Sequence, residues 1–254
     1  AHDSFLAVGE ILHRWVTQGP PLLPLAPGDV ERVRARLAAD EAVEIDDSPT
    51  LAWDLLSLVN GLDAPGYPRA ASASEAWEMA GEDARELVRL IVENSRWRRE
   101  ARPDRDEALR RVALARSAAG RALAGIATLP EETGATAAAL PVVLLELVAT
   151  ALASSPLAST AMQRCALHHL LPLVGAAAGT AAGLPEVLLA AVATSPVEHS
   201  GVRLAHLVDV AVGELGGAPP TTEPSGATDP LLKAALAKAR AAAGEATKDP
   251  AGRG

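Results

Sequence analysis

The chain has 254 residues, 49% of them hydrophobic and only 2% aromatic, which excludes a disordered chain and leaves the core to Leu, Val and Ala. Its formal net charge of −9 argues against a general nucleic-acid binder, because backbone phosphates demand a basic face. One cysteine excludes an intramolecular disulfide, so the cytoplasm is the expected compartment.

The opening AHDSFLAVGEILHRW lacks the basic and apolar regions of a secretory signal. Asp3 or Ser4 is placed to cap a helix to about Thr17, and QGPPLLPLAPGD breaks it. Asp29 then opens a short helix, VERVRARLAA. The acidic stretch ADEAVEIDDSPT follows, with Asp40, Glu41, Glu44, Asp46 and Asp47; it has no glycine at the turn of a calcium loop and reads as a solvated loop. Ser48-Pro49 is a cap before a helix-starting proline, and TLAWDLLSLVNG is expected to end at Gly61.

Ser72-x-x-Glu75 has capping-box spacing, and Trp77, Ala80, Ala84, Leu87, Val88 and Ile91 recur at three- and four-residue steps. That pattern predicts one long amphipathic helix, stopped near Pro103 by the missing amide donor. Asp104-x-x-Glu107 restarts a helix with Leu109, Val112, Ala113, Ala119, Leu123 and Ile126 on its apolar stripe. Asp106/Arg110 and Glu107/Arg111 are favourable pairs four residues apart. The two helices are expected to form an antiparallel hairpin about RPDRD.

Beyond Pro130 short Ala/Leu/Val helices are expected between prolines 141, 156, 172, 185 and 196, with GAAAGTAAG (175–183) as a flexible connection. The most apolar run, LPVVLLELVATALA, is too short to span a bilayer and contains Glu146, the one acid in an evidently buried context. LPVVLLELVAT at Leu140 and LPEVLLAAVAT at Leu184 share eight of eleven positions at an offset of 44, near the period of HEAT or armadillo hairpins. Leu-Pro helix starts in a Leu/Val/Ala-rich chain explain the match equally well.

The fold class expected is therefore all-α: antiparallel helix hairpins in a multi-helix bundle, with a short HEAT-like solenoid as an option for the second half. Composition divides the chain into a charged amphipathic subdomain (1–132) and an Ala/Leu/Val-rich hairpin subdomain packed on it (133–216). A flexible linker (217–229) and a C-terminal helix with a tail (230–254) complete it. Residues 133–227 hold only 2 Arg and 6 acids, as expected of a buried or partner-covered region. The last helix either docks through Leu231, Leu232 and Leu236 or frays.

Two clusters carry candidate chemistry. RWRREARPDRDEALRR places Arg96, Arg98, Arg99 and Arg102 around Trp97, off the apolar stripe, as a contact surface for phosphate groups or an acidic partner. The plainer alternative is a solvated helix end whose acids cancel the charge. In RCALHHLLPLVG, Cys165 shares a helix face with His168 or His169, and His206 could add a ligand. No recognised zinc spacing is present, which favours a buried structural thiol.

No catalytic constellation is complete and no cofactor is expected. The expected function is a non-catalytic helical scaffold or adaptor, contacting another protein or a second copy of itself, with no membrane span. The alternative is an all-α enzyme or metal- or ligand-binding protein with its site between hairpins at Cys165, His168, His169 and His206.

Overall fold

The computed structural model describes residues 23, 25–45, 48–61, 68–95, 103–153, 174–193, 207–209, 212 and 230–247; among these the side chains of 95, 103–106 and 145–153 are left aside. The described residues form nine helices and no strand, an all-α bundle as composition and periodicity predict. They are α1 (Pro27–Ala38), α2 (Pro49–Asn60), α3 (Ala73–Ala80), α4 (Ala84–Ser95), α5 (Pro103–Leu123), α6 (Glu131–Ala153), α7 (174–181), α8 (Glu186–Ala193) and α9 (Pro230–Ala246). No helix among them is long and apolar enough to cross a membrane.

The caps expected at Ser48 and Ser72 are present, whereas Asp29, expected to open α1, lies inside its first turn: the helix begins at Pro27 after Ala26, with no side-chain cap. Ser48 Oγ accepts from Leu51 N at 3.4 Å and donates to Asp29 Oδ2 at 2.8 Å, so one hydroxyl both starts α2 and ties it to α1. Ser72 Oγ accepts from Glu75 N at 3.1 Å, while Glu75 reaches back to Ala71 N at 2.7 Å, one residue before the usual capping-box donor. Helix α2 is the centre of the bundle, with Thr50–Ser57, Val59 and Asn60 buried and α3, α4 and α6 packed around it.

The long helix expected from Ser72 is two helices. Gly81 adopts φ +56, a conformation costly for any residue with a Cβ, and a short 3-10 turn at Gly81–Asp83 restarts the chain as α4. The predicted hairpin is also replaced. Helix α4 packs on α1 and α2, whereas α5 packs on α6 and α9. Side-chain size explains the exchange: α4 buries Val88, Ile91 and Val92, while α5 buries Ala113, Ala115, Ser117, Ala119 and Gly120 before Leu123 closes its last turn. The first half of α6, Thr133–Ala139, is equally small-sided, so the two approach until a Cβ on Gly120 would lie 2.3 Å from the Gly134 carbonyl oxygen.

Proline 141 does not start a helix. Glu131 and Glu132 supply the acidic first turn of α6, and the helix runs through Pro141. Proline lacks the amide that would serve the Ala137 carbonyl, and Arg116 Nε donates to the neighbouring Ala138 carbonyl at 2.8 Å. The two copies of the eleven-residue pattern lie on contacting helices, one inside α6 and one leading into α8.

The glycine-rich stretch expected as a flexible connection is partly α7. A Cβ on Gly175 would lie 2.1 Å from the Val192 carbonyl oxygen, so glycine allows α7 to meet α8; Gly183, at φ +66, makes the turn between them. Helix α9 is docked on α5 through Leu232, Leu236, Ala239 and Ala243, with Leu231 turned out and 74% exposed. Buried side chains from Leu23 to Ala243 form one continuous core.

Candidate functional site

The candidate residues read from sequence lie outside the described residues: Arg96, Trp97, Arg98, Arg99 and Arg102 between α4 and α5, and Cys165, His168, His169 and His206 in the second half. The Glu146 side chain also lies outside them. Among the described residues no group of three or more His, Cys, Asp or Glu side chains is arranged to hold a metal ion.

A different site is present. A cleft of about 470 Å³ opens between the 42–45 loop, the first turns of α3, the middle of α5 and the end of α9. Its apolar lining is Val43, Ile45, Trp77 and Leu114; Ser74 and Ser117 add hydroxyls, and Glu44, Glu78 and Arg121 add charge. Trp77 is half-buried and packs against the core while contributing to the open lining.

Arginines hold the walls. Arg36, in the last turn of α1, donates to the Ala42 carbonyl at 2.9 Å and pairs with Glu44 at 2.9 Å. Arg85 of α4 donates to the Asp40 carboxylate and the Glu41 carbonyl. Asp40 itself has φ +58, a left-handed position that Asp tolerates better than most residues. Buried Ile45 anchors the loop, and its carbonyl accepts from Ser48 N at 3.1 Å. On the opposite wall Arg121 forms a two-pronged pair with Glu132, at 3.2 and 2.8 Å. The acidic loop expected to be merely solvated is thus tied to α1 and α4.

Charge at the cleft is unequal. Glu132 neutralises Arg121 and Arg36 neutralises Glu44, while exposed Glu78 has no ion-pair partner among the described residues. An apolar floor with one uncompensated carboxylate at its edge can seat an apolar group joined to a cation. Nothing in linear order joins segments at 42, 74, 114 and 246. The only sequence signal was a tryptophan in an aromatic-poor chain, and Trp77 fitted the apolar stripe too well to stand out.

A second polar feature lies inside the protein. Asp54 is wholly buried in α2, with Oδ1 accepting from Leu23 N at 2.8 Å; Oδ2, and the Oγ of Ser57 one turn on, have no hydrogen-bond partner among the described residues. Burial pushes its carboxyl well above the usual range, and the Leu23 amide offsets this only in part. Asp54 does not line the cleft, so its role is to hold the segment before α1 to the central helix.

The fold places the chain among all-α helical bundles. A structural comparison finds the crystal structure of the MmoQ response regulator from Methylococcus capsulatus str. Bath, with 18% identity and a TM-score of 0.54, covering 90% of this chain and 99% of that one. No family model matches the chain, and no curated protein matches it by sequence.

Proposed function

We propose that the protein is a non-catalytic binding module, a helical scaffold or adaptor that works in the cytoplasm through contact with another protein or a second copy of itself. The fold likeness bears on architecture, and function is argued from the site. The observation that carries the reading is the cleft: an apolar floor with Trp77 at its edge, on walls already held by Arg36, Arg85 and Arg121. A surface ordered before its partner arrives spares the entropy of ordering it on binding. Trp and apolar anchors in such recesses concentrate binding energy. The net charge of −9 favours protein partners over nucleic acid.

Site-directed cross-linking tests this reading. A photo-reactive residue at Ser74, in the cleft, should give a discrete adduct in cells, whereas one at exposed Glu31 on α1 should not. A species of twice the monomer mass would identify a second copy. The same pattern from both positions, or none from Ser74, would count against a contact surface in the cleft.

A further inference from the structure

We propose that the cleft takes a basic amphipathic segment of a partner protein, with an apolar side chain against Trp77 and Leu114 and a lysine or arginine against Glu78. This deepens the binding-module reading and rests on it. Three observations lead to the occupant.

Size comes first. A stable contact between two globular surfaces buries about 1,600 Å² in total, whereas a recess of about 470 Å³ takes only a few side chains. A projecting segment fits it and a flat protein face does not. Charge comes second. Arg121 is held by Glu132 and Glu44 by Arg36, so the formal charge left at the edge is the Glu78 carboxylate. Among the described lining residues the one cation, Arg121, is already paired, so an acidic segment would meet that charge unanswered there while a basic one complements it. Chemistry comes third: the half-buried Trp77 indole offers apolar area to an aliphatic group and a π face to a cation. Leu114, Val43 and Ile45 share the lining with Trp77 and Glu78, so a segment that fills it presents an apolar anchor together with a basic residue.

The test uses the full chain and three labelled synthetic helical peptides, followed by fluorescence anisotropy. One has leucines on one face and lysines on the other, one carries glutamates in place of the lysines, and one carries serines in place of the leucines. Only the leucine/lysine peptide should bind, and added salt should weaken it. Glu78→Gln, at an exposed site, should weaken binding about tenfold without changing the unfolding midpoint. Trp77→Ala should weaken it further, while Glu31→Gln should have no effect. Equal binding of the lysine and glutamate peptides, binding of neither, or an equal loss from Glu31→Gln would overturn the assignment. Cross-linking at Ser74 separates the two levels: an adduct there with no lysine-peptide preference would sink the basic segment and leave the binding module standing.

Discussion

Asp54 shows how one residue can constrain a bundle. An ionised carboxylate with no partner for Oδ2 is costly in an apolar interior, so the folded state favours the protonated acid. The sign follows from linkage. An unfolded Asp titrates near about 3.9 and the folded group higher, so the stabilisation is complete below about pH 4 and is lost as pH rises through the folded value. Asp54→Asn keeps an oxygen for the Leu23 amide and cannot ionise. Its urea midpoint should be close to the wild type near pH 4 and should exceed it at pH 8. A wild type that gains on the variant with rising pH would show that the carboxylate is charged and paired. The sequence pointed instead to Glu146, flanked by the same kind of Leu/Val run. What singles out Asp54 is that α2 is buried all round, a tertiary fact that the run LAWDLLSLVN only hints at.

The helix starts at Ser48 and Ser72 were legible because they are local: each hydroxyl accepts from an amide of its own first turn. Breaks and partners were less legible. Gly81 looks like any tolerated helical glycine until its φ is known, and Pro141 looks like a start until the upstream residues are seen to be helical already. Pairing depends on which faces match in relief, so α5 chose α6 over the helix next to it in the charge pattern. Glycine substitutions distinguish these roles. Alanine at Gly120 would gain about 1 kcal/mol of helix propensity, but its Cβ would meet Gly134 O at 2.3 Å and Ala138 Cβ at 2.5 Å. Overpacking of this kind costs about 1–3 kcal/mol or more, so Gly120→Ala should lower the unfolding midpoint. At Gly81 no atom lies within 4 Å of a new Cβ, and only the positive φ resists it. Gly81→Ala should therefore cost about 1–3 kcal/mol from backbone strain alone. A Gly120→Ala protein as stable as wild type would mean that α5 and α6 can move apart freely.

For the whole molecule, composition foretold the class: few aromatics and many Ala, Leu and Val favour closely packed helices, and the described residues bury them in one core. The cleft was not foretold, because it exists only where four distant segments meet. The arginine-rich segment around Trp97 was visible for the opposite reason, its residues being adjacent in sequence. The cleft and the sequence-read segment 96–102 make rival claims on a partner. Backbone amide chemical-shift mapping of the full chain, titrated with the leucine/lysine peptide, decides between them. Perturbations are expected to concentrate at residues 42–45, 74–78 and 114–121. Perturbations centred on residues 96–102, or spread evenly over the acidic surface, would contradict binding in the cleft.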